Sequence, residues 1–395
     1  MDVLAKLLAL SPAEKEARGL VYTPREIFQQ PETWRRSYQR VVELAPFLEE
    51  YLNRAGLGDK SKNLDVRLVG AGTSDYIGKS VAALLQKRWR CDVQSVPSTD
   101  LLTNIDEYVV PGRSYLWISF SRSGDSSEGV AVLESALDRY PEIHHLVITC
   151  NKHGKMACSF QDRPNLFSIV LDDAVNDRGL AMTSSFSNMV IVAQSLAYLS
   201  DLGQYASVVD ELTACTSKAL PHVAEVCESL VRDGFSRVCF LGSGPLKGAA
   251  TEAALKVLEL TDGKIFGFSE SFLGLRHGPL SAIDRDTLVV NFISGNERRR
   301  AFELDLVQEI CEKALTAKSL VVLPSDLNEA IRCKSIKAQI LWGFSEKIRD
   351  LHRPAADVLV GQLLGLFASL REGLRPDTPS PQGAINRVVS HVRIH

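Results

Sequence analysis

The chain has 395 residues, 45% apolar and 24% charged, with a net charge of −3. That length holds roughly two or three domains, each able to bury its own core. The near-neutral balance excludes a global basic field for nucleic acid or a membrane surface, so an anionic ligand has to be held by a local site. No apolar run approaches the roughly 18 residues of a membrane span. Asp2 and Lys6 interrupt the N-terminal leucines, which read as a short helix rather than a signal peptide, and the expected location is the cytoplasm. The eight cysteines are scattered without a Cys-x-x-Cys pair, which fits a reducing compartment better than a disulfide framework or a zinc site.

In chain order, the first sixty residues are expected to be helical. Ser11-Pro12-Ala13-Glu14 and Thr23-Pro24-Arg25-Glu26 both match a capping box with proline at the first helical position. Trp34, Tyr38, Val41, Ala45 and Leu48 then share one helix face, and packing against the domain that follows is the expected use. Val66 to Val69 reads as a strand, Gly70 to Ser74 as a glycine turn, and Ile77 to Leu85 as a helix. Tyr115 to Phe120 reads as a second strand, about Ser126 to Ala136 as a helix, Leu146 to Thr149 as a third strand and Phe167 to Leu171 as a fourth. Thr183 to Leu199 is helical, and the helical region from about Asp201 to Pro221 marks a boundary. Nearly all-apolar strands alternating with helices predict a parallel sheet covered on both faces.

From Arg237 the same order repeats. Val69-Gly70-Ala71-Gly72 is matched by Leu241-Gly242-Ser243-Gly244, the run Leu116 to Phe120 by Leu288 to Phe292, and Leu146 to Ile148 by Leu320 to Val322, at offsets of 172 to 174 residues. A near-constant offset over separate apolar runs marks two copies of one α/β domain. The expected division is a helical extension (1–60), a first domain (61–212) and a second domain (213–395), the last ending in a proline-stiffened connector and a tail from Ala384.

The copies differ where chemistry would show. After its second strand the first has Ser121-Arg122-Ser123-Gly124-Asp125-Ser126, whereas the second has Ile293-Ser294-Gly295-Asn296. Free N–H groups at a helix N-terminus, the hydroxyls of Ser121, Ser123 and Ser126 and the charge of Arg122 make a phosphate cradle, and Gly72, Thr73 and Ser74 lie on a loop at the same sheet edge. A serine-rich turn that merely caps its helix is the plain alternative. Gly70-x-Gly72 and Gly242-x-Gly244 lack the third glycine and the acidic residue of a dinucleotide site. In the second copy Glu252, Lys256 and Glu259 follow i, i+4, i+7 spacing, by itself an ordinary ion-pair ladder. His277, before Gly278-Pro279, sits on an exposed turn. No histidine or carboxylate spacing points to a metal.

Together these residues resemble the sugar isomerase (SIS) domain family of phosphosugar-binding proteins. The resemblance is to the tandem form found in the isomerase half of glucosamine-6-phosphate synthase and in the galactosamine-6-phosphate deaminase/isomerase group, long described as tagatose-6-phosphate ketose/aldose isomerases. It runs from about Val66 to the C-terminus. Its most specific pieces are residues 70–74, 119–124 and 176–185, Ala254 to Glu259, and Leu275-Arg276-His277-Gly278-Pro279. The resemblance implies two flavodoxin-like three-layer domains and an enzyme without cofactor or metal, acting as a dimer or larger homo-oligomer. Its substrate would be a phosphorylated amino sugar, D-galactosamine 6-phosphate, converted to D-tagatose 6-phosphate and ammonia.

Residue by residue, the resemblance makes Ser74, Ser121, Ser123 and Ser126 phosphate ligands and leaves Arg122 where glutamine is common. Leu180 and Thr183 fall in the stretch that lines the sugar. Glu259 matches the carboxylate that moves a proton between C1 and C2, with Lys256 beside it. His277 matches a ring-opening histidine, which the synthase takes from a neighbouring subunit. Two departures stand out. The tail from Asn386 to His395 has no lysine for a Schiff base, Ser390 standing nearest that place, and only about sixty residues precede the first strand, so no glutaminase domain is expected. Breakdown of an amino sugar is therefore the implied direction. A plain isomerase of tagatose 6-phosphate, a glucosamine-6-phosphate deaminase and a non-catalytic phosphosugar sensor are the alternatives.

Overall fold

The computed structural model describes residues 2–59, 63–325, 333–389 and 392–395. Four helices come first: α1 (Val3–Leu8), α2 (Pro12–Arg18), α3 (Thr23–Phe28) and α4 (Gln30–Arg54). The expected capping box opens α2, where the side chains of Ser11 and Glu14 each accept the other's backbone N–H, and Gly19 closes it in a left-handed C-cap. The second expected box does not form. Thr23 is already helical and its hydroxyl donates to Asp377 at 2.8 Å, while Glu26 accepts the backbone N–H groups of Arg178 and Gly179. Tertiary partners here take the groups that a local cap would have used.

The first copy contains β1 (Leu64–Gly70), α5 (Thr73–Trp89), β2 (Asp92–Pro97), α6 (Ser98–Tyr108), β3 (Ser114–Ser121), α7 (Ser127–Arg139), β4 (His144–Thr149), α8 (Lys155–Cys158), β5 (Leu166–Val170) and α9 (Ser184–Ala197). Its five strands are parallel in the order β2-β1-β3-β4-β5. After α10 (Leu202–Arg232) the second copy contains β6 (Arg237–Leu241), α11 (Pro245–Leu260), β7 (Phe266–Glu270), α12 (Phe272–Leu275), β8 (Thr287–Phe292), α13 (Glu297–Glu312), β9 (Lys318–Leu323), β10 (Ile336–Leu341) and α14 (Pro354–Arg371). Read from β7, its order β7-β6-β8-β9-β10 is that of the first sheet, and it is parallel throughout. The duplication extends to the backbone. Gly72 at φ 54°, ψ −124° and Gly244 at φ 59°, ψ −127° make the same turn into α5 and α11, a conformation that glycine enters without steric cost.

The chain forms two compact units, each discontinuous in sequence: residues 1–32, 178–183 and 210–385 make one, and residues 33–177, 184–209 and 386–395 the other. These cuts differ from the linear boundaries at 60 and 212. The first thirty-two residues belong to the unit of the second sheet, whereas the helix face from Trp34 to Leu48 packs with the first sheet as expected. Asp377 anchors the former by accepting the N–H groups of Val21 at 2.7 Å and Thr23 at 2.8 Å. The rest of α4 serves the first sheet's unit, where the Trp34 indole N–H donates to Ser187 Oγ at 2.9 Å.

Each unit has its own core. In the second sheet Val238, Cys239, Phe240, Leu241, Val289 and Val321 are all wholly buried, each side chain contributing about 1.5–3 kcal/mol for the larger ones. One expectation about cysteines is overturned. Cys311, in the last turn of α13, is bonded to Cys333, with Cα atoms 5.8 Å apart. A separation of 22 residues matches no short motif, and only the fold brings the two together. The remaining six cysteines are free thiols.

Candidate active site

In the first sheet's unit, β3 is buried throughout its second half and ends at Ser121. The loop that follows enters α7 at once, so its hydroxyls and the helix N-terminal N–H groups lie at one end of the sheet. Ser121 Oγ accepts the N–H of Gly124 at 3.0 Å and Ser123 Oγ that of Asp125 at 3.2 Å. A hydroxyl that accepts from the backbone keeps its own proton to donate, which is what an anion requires. Ser126 is the N-cap of α7 without using its side chain for the cap. Thr73 and Ser74 are buried in the first turn of α5, and β1 is hydrogen-bonded to β3, so this second helix N-terminus opens at the same edge.

Arg122 is buried but does not point a free charge at this loop. Its guanidinium donates to the carbonyl of Arg387. Arg387 in turn donates to the Asp177 carbonyl at 2.8 Å and to Asn176 Oδ1 at 3.0 Å. Val389 continues the same crossing, its carbonyl accepting the N–H of Ser127 at 3.2 Å. Arg387 and Val389 therefore lie against the serine loop, and Arg387 is a candidate site residue that nothing in the sequence singled out. Ser390 lies outside the described residues.

The other unit holds the candidate acid–base groups. On α11 the ammonium of Lys256 lies 3.1 Å from Glu252 Oε1 and 2.6 Å from Glu259 Oε2. This is no solvated ladder: the side chains of Glu252 and Lys256 are 0% exposed, and that of Glu259 is 23% exposed. The close approach of α14 produces the burial. A Cβ on Gly361 would stand 2.4 Å from Ala253 Cα, and one on Gly365 would stand 2.8 Å from the Lys256 carbonyl oxygen. Burial opposes the charge on Lys256, but the adjacent Glu252 and Glu259 outweigh it and hold the pKa above the ordinary lysine value. The result is a fixed ammonium with one enclosed carboxylate and one that meets solvent. Such a carboxylate can take up and return a proton beside a locked positive charge.

His277 lies in this unit on the turn after α12, exposed, and its ring has no hydrogen-bond or ion-pair partner among the described residues. Leu180 and Thr183 belong to the same unit as Glu259 rather than to that of the serine loop. Leu180 donates its N–H to the Asp377 carbonyl at 3.0 Å, and the carbonyl of Thr183 accepts from Gln362 at 3.3 Å. The predicted residues thus divide between the two units. Among the described residues no helix is long and apolar enough to cross a membrane, and no group of three metal-ligating side chains gathers.

No family model matches the chain. It is 35% identical over 386 residues to D-galactosamine-6-phosphate deaminase AgaS of Escherichia coli O157:H7, covering 95% of each chain. It is 32% identical over 397 residues to the AgaS deaminase of Shewanella sp. (strain ANA-3), covering 98% of this chain and 95% of that one. The crystal structure of tagatose-6-phosphate ketose/aldose isomerase from Escherichia coli superposes with a TM-score of 0.85 at 33% identity, over 94% of this chain and 96% of that one. With two parallel sheets of one topology and relatives matched over nearly their whole length, the chain belongs to the AgaS family of tandem sugar isomerase (SIS) domain proteins.

Proposed function

We propose that the protein converts an aldosamine 6-phosphate, D-galactosamine 6-phosphate, to D-tagatose 6-phosphate and ammonia. The observation that carries the reading is the Glu252–Lys256–Glu259 array, fully enclosed except at Glu259, in a chain matched end to end by deaminases. The hydroxyls of Ser74, Ser121, Ser123 and Ser126, with the helix N-termini of α5 and α7, hold the phosphate. Binding energy from this remote group orders C1 and C2 for reaction. His277 moves a proton between the C1 hydroxyl and the ring oxygen and opens the pyranose. Glu259 takes the proton from C2 and delivers it to C1 through an enolamine. Water then adds to the C2 imine and ammonia leaves, so that one water is consumed for each ammonia released. Lys256 donates to Glu259 and supports charge developing on the C1 oxygen. Leu180 and Thr183 line the sugar.

His277, exposed and with no side-chain partner among the described residues, serves a neighbouring subunit in this reading, and the working unit is a homo-oligomer. Phosphorylated sugars are kept inside cells by their charge, and the reading implies a cytoplasmic enzyme. A second reading, aldose–ketose isomerisation of tagatose 6-phosphate, is favoured by the name of the solved Escherichia coli relative. The proton transfer is the same and only the heteroatom at C2 differs. A sensor without catalysis would gain nothing from a buried lysine between two carboxylates. Initial rates on galactosamine 6-phosphate, glucosamine 6-phosphate and tagatose 6-phosphate test the choice. Fast ammonia release from the galacto substrate supports the proposal; turnover of tagatose 6-phosphate alone would transfer it to the isomerase reading.

A further inference from the structure

The second copy retains the architecture of a phosphate cradle: β8, a short loop, and the N-terminus of the 16-residue helix α13. In the first copy the corresponding loop offers serine hydroxyls, and its own carboxylate, Asp125, is engaged elsewhere, by the N–H of Lys155 at 2.9 Å and by Asn151. In the second copy a carboxylate from a distant part of the chain enters the loop. Asp350, 5% exposed, accepts the Ser294 hydroxyl, the N–H of Gly295 at 2.9 Å, the guanidinium of Arg299 at 2.6 Å and that of Arg353 at 3.4 Å. A hydroxyl, a backbone N–H and two guanidinium groups converging on one anion form the donor set of a phosphate site.

The surroundings agree. Glu303 accepts the N–H of Ser294 at 2.7 Å, and Arg300 donates to the carbonyl of Gly295 at 3.0 Å, so the loop is held around the carboxylate. Asp350 also stands shortly before α14, as Asp177 stands before α9 in the first copy. Asp177 accepts the N–H groups of Ser184 and Ser185, both at 2.9 Å, and so caps its own helix. The two aspartates have taken different partners: one turns to the helix behind it, the other to the loop after the third strand of its copy.

We propose that Asp350 is a built-in anion occupying the second copy's phosphate cradle, so that each chain takes up one phosphosugar, at the serine loop. The inference rests on reading the serine loop as the working cradle, and the test separates the two. Radiolabelled inorganic phosphate is titrated by equilibrium dialysis into wild type, S121A/S123A, S121A/S123A/D350A and S121A/S123A/D350N. Wild type should bind one phosphate per chain and S121A/S123A none. The D350A triple variant should regain one site, about tenfold or more tighter than any residual binding in S121A/S123A, the worth of about one hydrogen bond to a charged group. D350N, which keeps the shape without the charge, should remain closed. A folded D350A variant that regains nothing overturns the role of Asp350, whereas phosphate binding that survives in S121A/S123A overturns the serine-loop reading and the inference with it. Should D350A fail to fold in chloride buffer, phosphate must restore folding where chloride at matched ionic strength does not; failure of that rescue also overturns the proposal.

Discussion

Lys256 donates to Glu259 across 2.6 Å, three residues apart on α11, while its ammonium also meets Glu252 at 3.1 Å. Two carboxylates share one buried ammonium in this arrangement, and Glu259 is the member with access to solvent. The geometry assigns different duties to two chemically identical carboxylates. Glu252 balances the buried ammonium, and Glu259 remains available to a substrate.

Glu259→Gln preserves size and can still accept from Lys256 but cannot carry a proton. Its kcat should fall by about 10² to 10⁴, the usual worth of general base assistance, with substrate affinity nearly unchanged. Steady-state rates combined with calorimetric binding of the phosphosugar decide it. A variant with near-normal kcat removes Glu259 from the proposed role.

Lys256→Met leaves Glu252 buried without its counter-charge. Removal of one partner from a buried pair costs about 3–5 kcal/mol. Neutralising Glu252 in the same chain, as E252Q/K256M, should recover part of that loss, because no isolated charge then remains in the core. Urea midpoints of the two variants give the comparison; a double variant no more stable than K256M would show that packing, not charge, sets the cost.

Ser121→Ala with Ser123→Ala removes two donors from a site that carries no chemistry. KM for the sugar phosphate should rise roughly tenfold or more for each hydroxyl lost, with kcat falling much less. The same pair should lose any sensitivity to inorganic phosphate as a competitor. An unchanged KM is the outcome that removes the serine loop from the account.

Burial raises the Glu303 carboxyl above its ordinary 4.5, against the opposing effect of the Ser294 N–H. The folded state therefore holds this proton more firmly than the unfolded chain does. The associated stability is complete below pH 4.5 and is lost as pH rises through the folded value. Glu303→Gln should flatten the stability profile across that window while accepting the same N–H. Denaturation midpoints collected over a pH series check this, and parallel profiles for wild type and E303Q would count against it.

Much of the fold was legible because duplication shows itself wherever both copies need the same physics. Val69 to Gly72 and Leu241 to Gly244 are a buried strand followed by the same left-handed glycine. The pair β2 and α6 was not legible. Asp92 to Pro97 is an edge strand, only partly buried, and Gln94 and Ser95 break its apolar run. The distribution of the N-terminal helices was hidden for another reason: Asp377 fixes Thr23 across a sequence separation of 354 residues, which no local pattern encodes. At the candidate site the spacing of Glu252, Lys256 and Glu259 was visible, but their burial was not, because it depends on glycines at 361 and 365 in a different helix. The contact of Arg122 with the tail likewise joins residues that share no motif.

The most direct test quantifies ammonia and ketose 6-phosphate together as galactosamine 6-phosphate is consumed by wild type and by E259Q. The account predicts one ammonia for each ketose phosphate with wild type, and both products formed about 10² to 10⁴ more slowly with E259Q. Ketose formed without ammonia, or equal product from the two proteins, would contradict it.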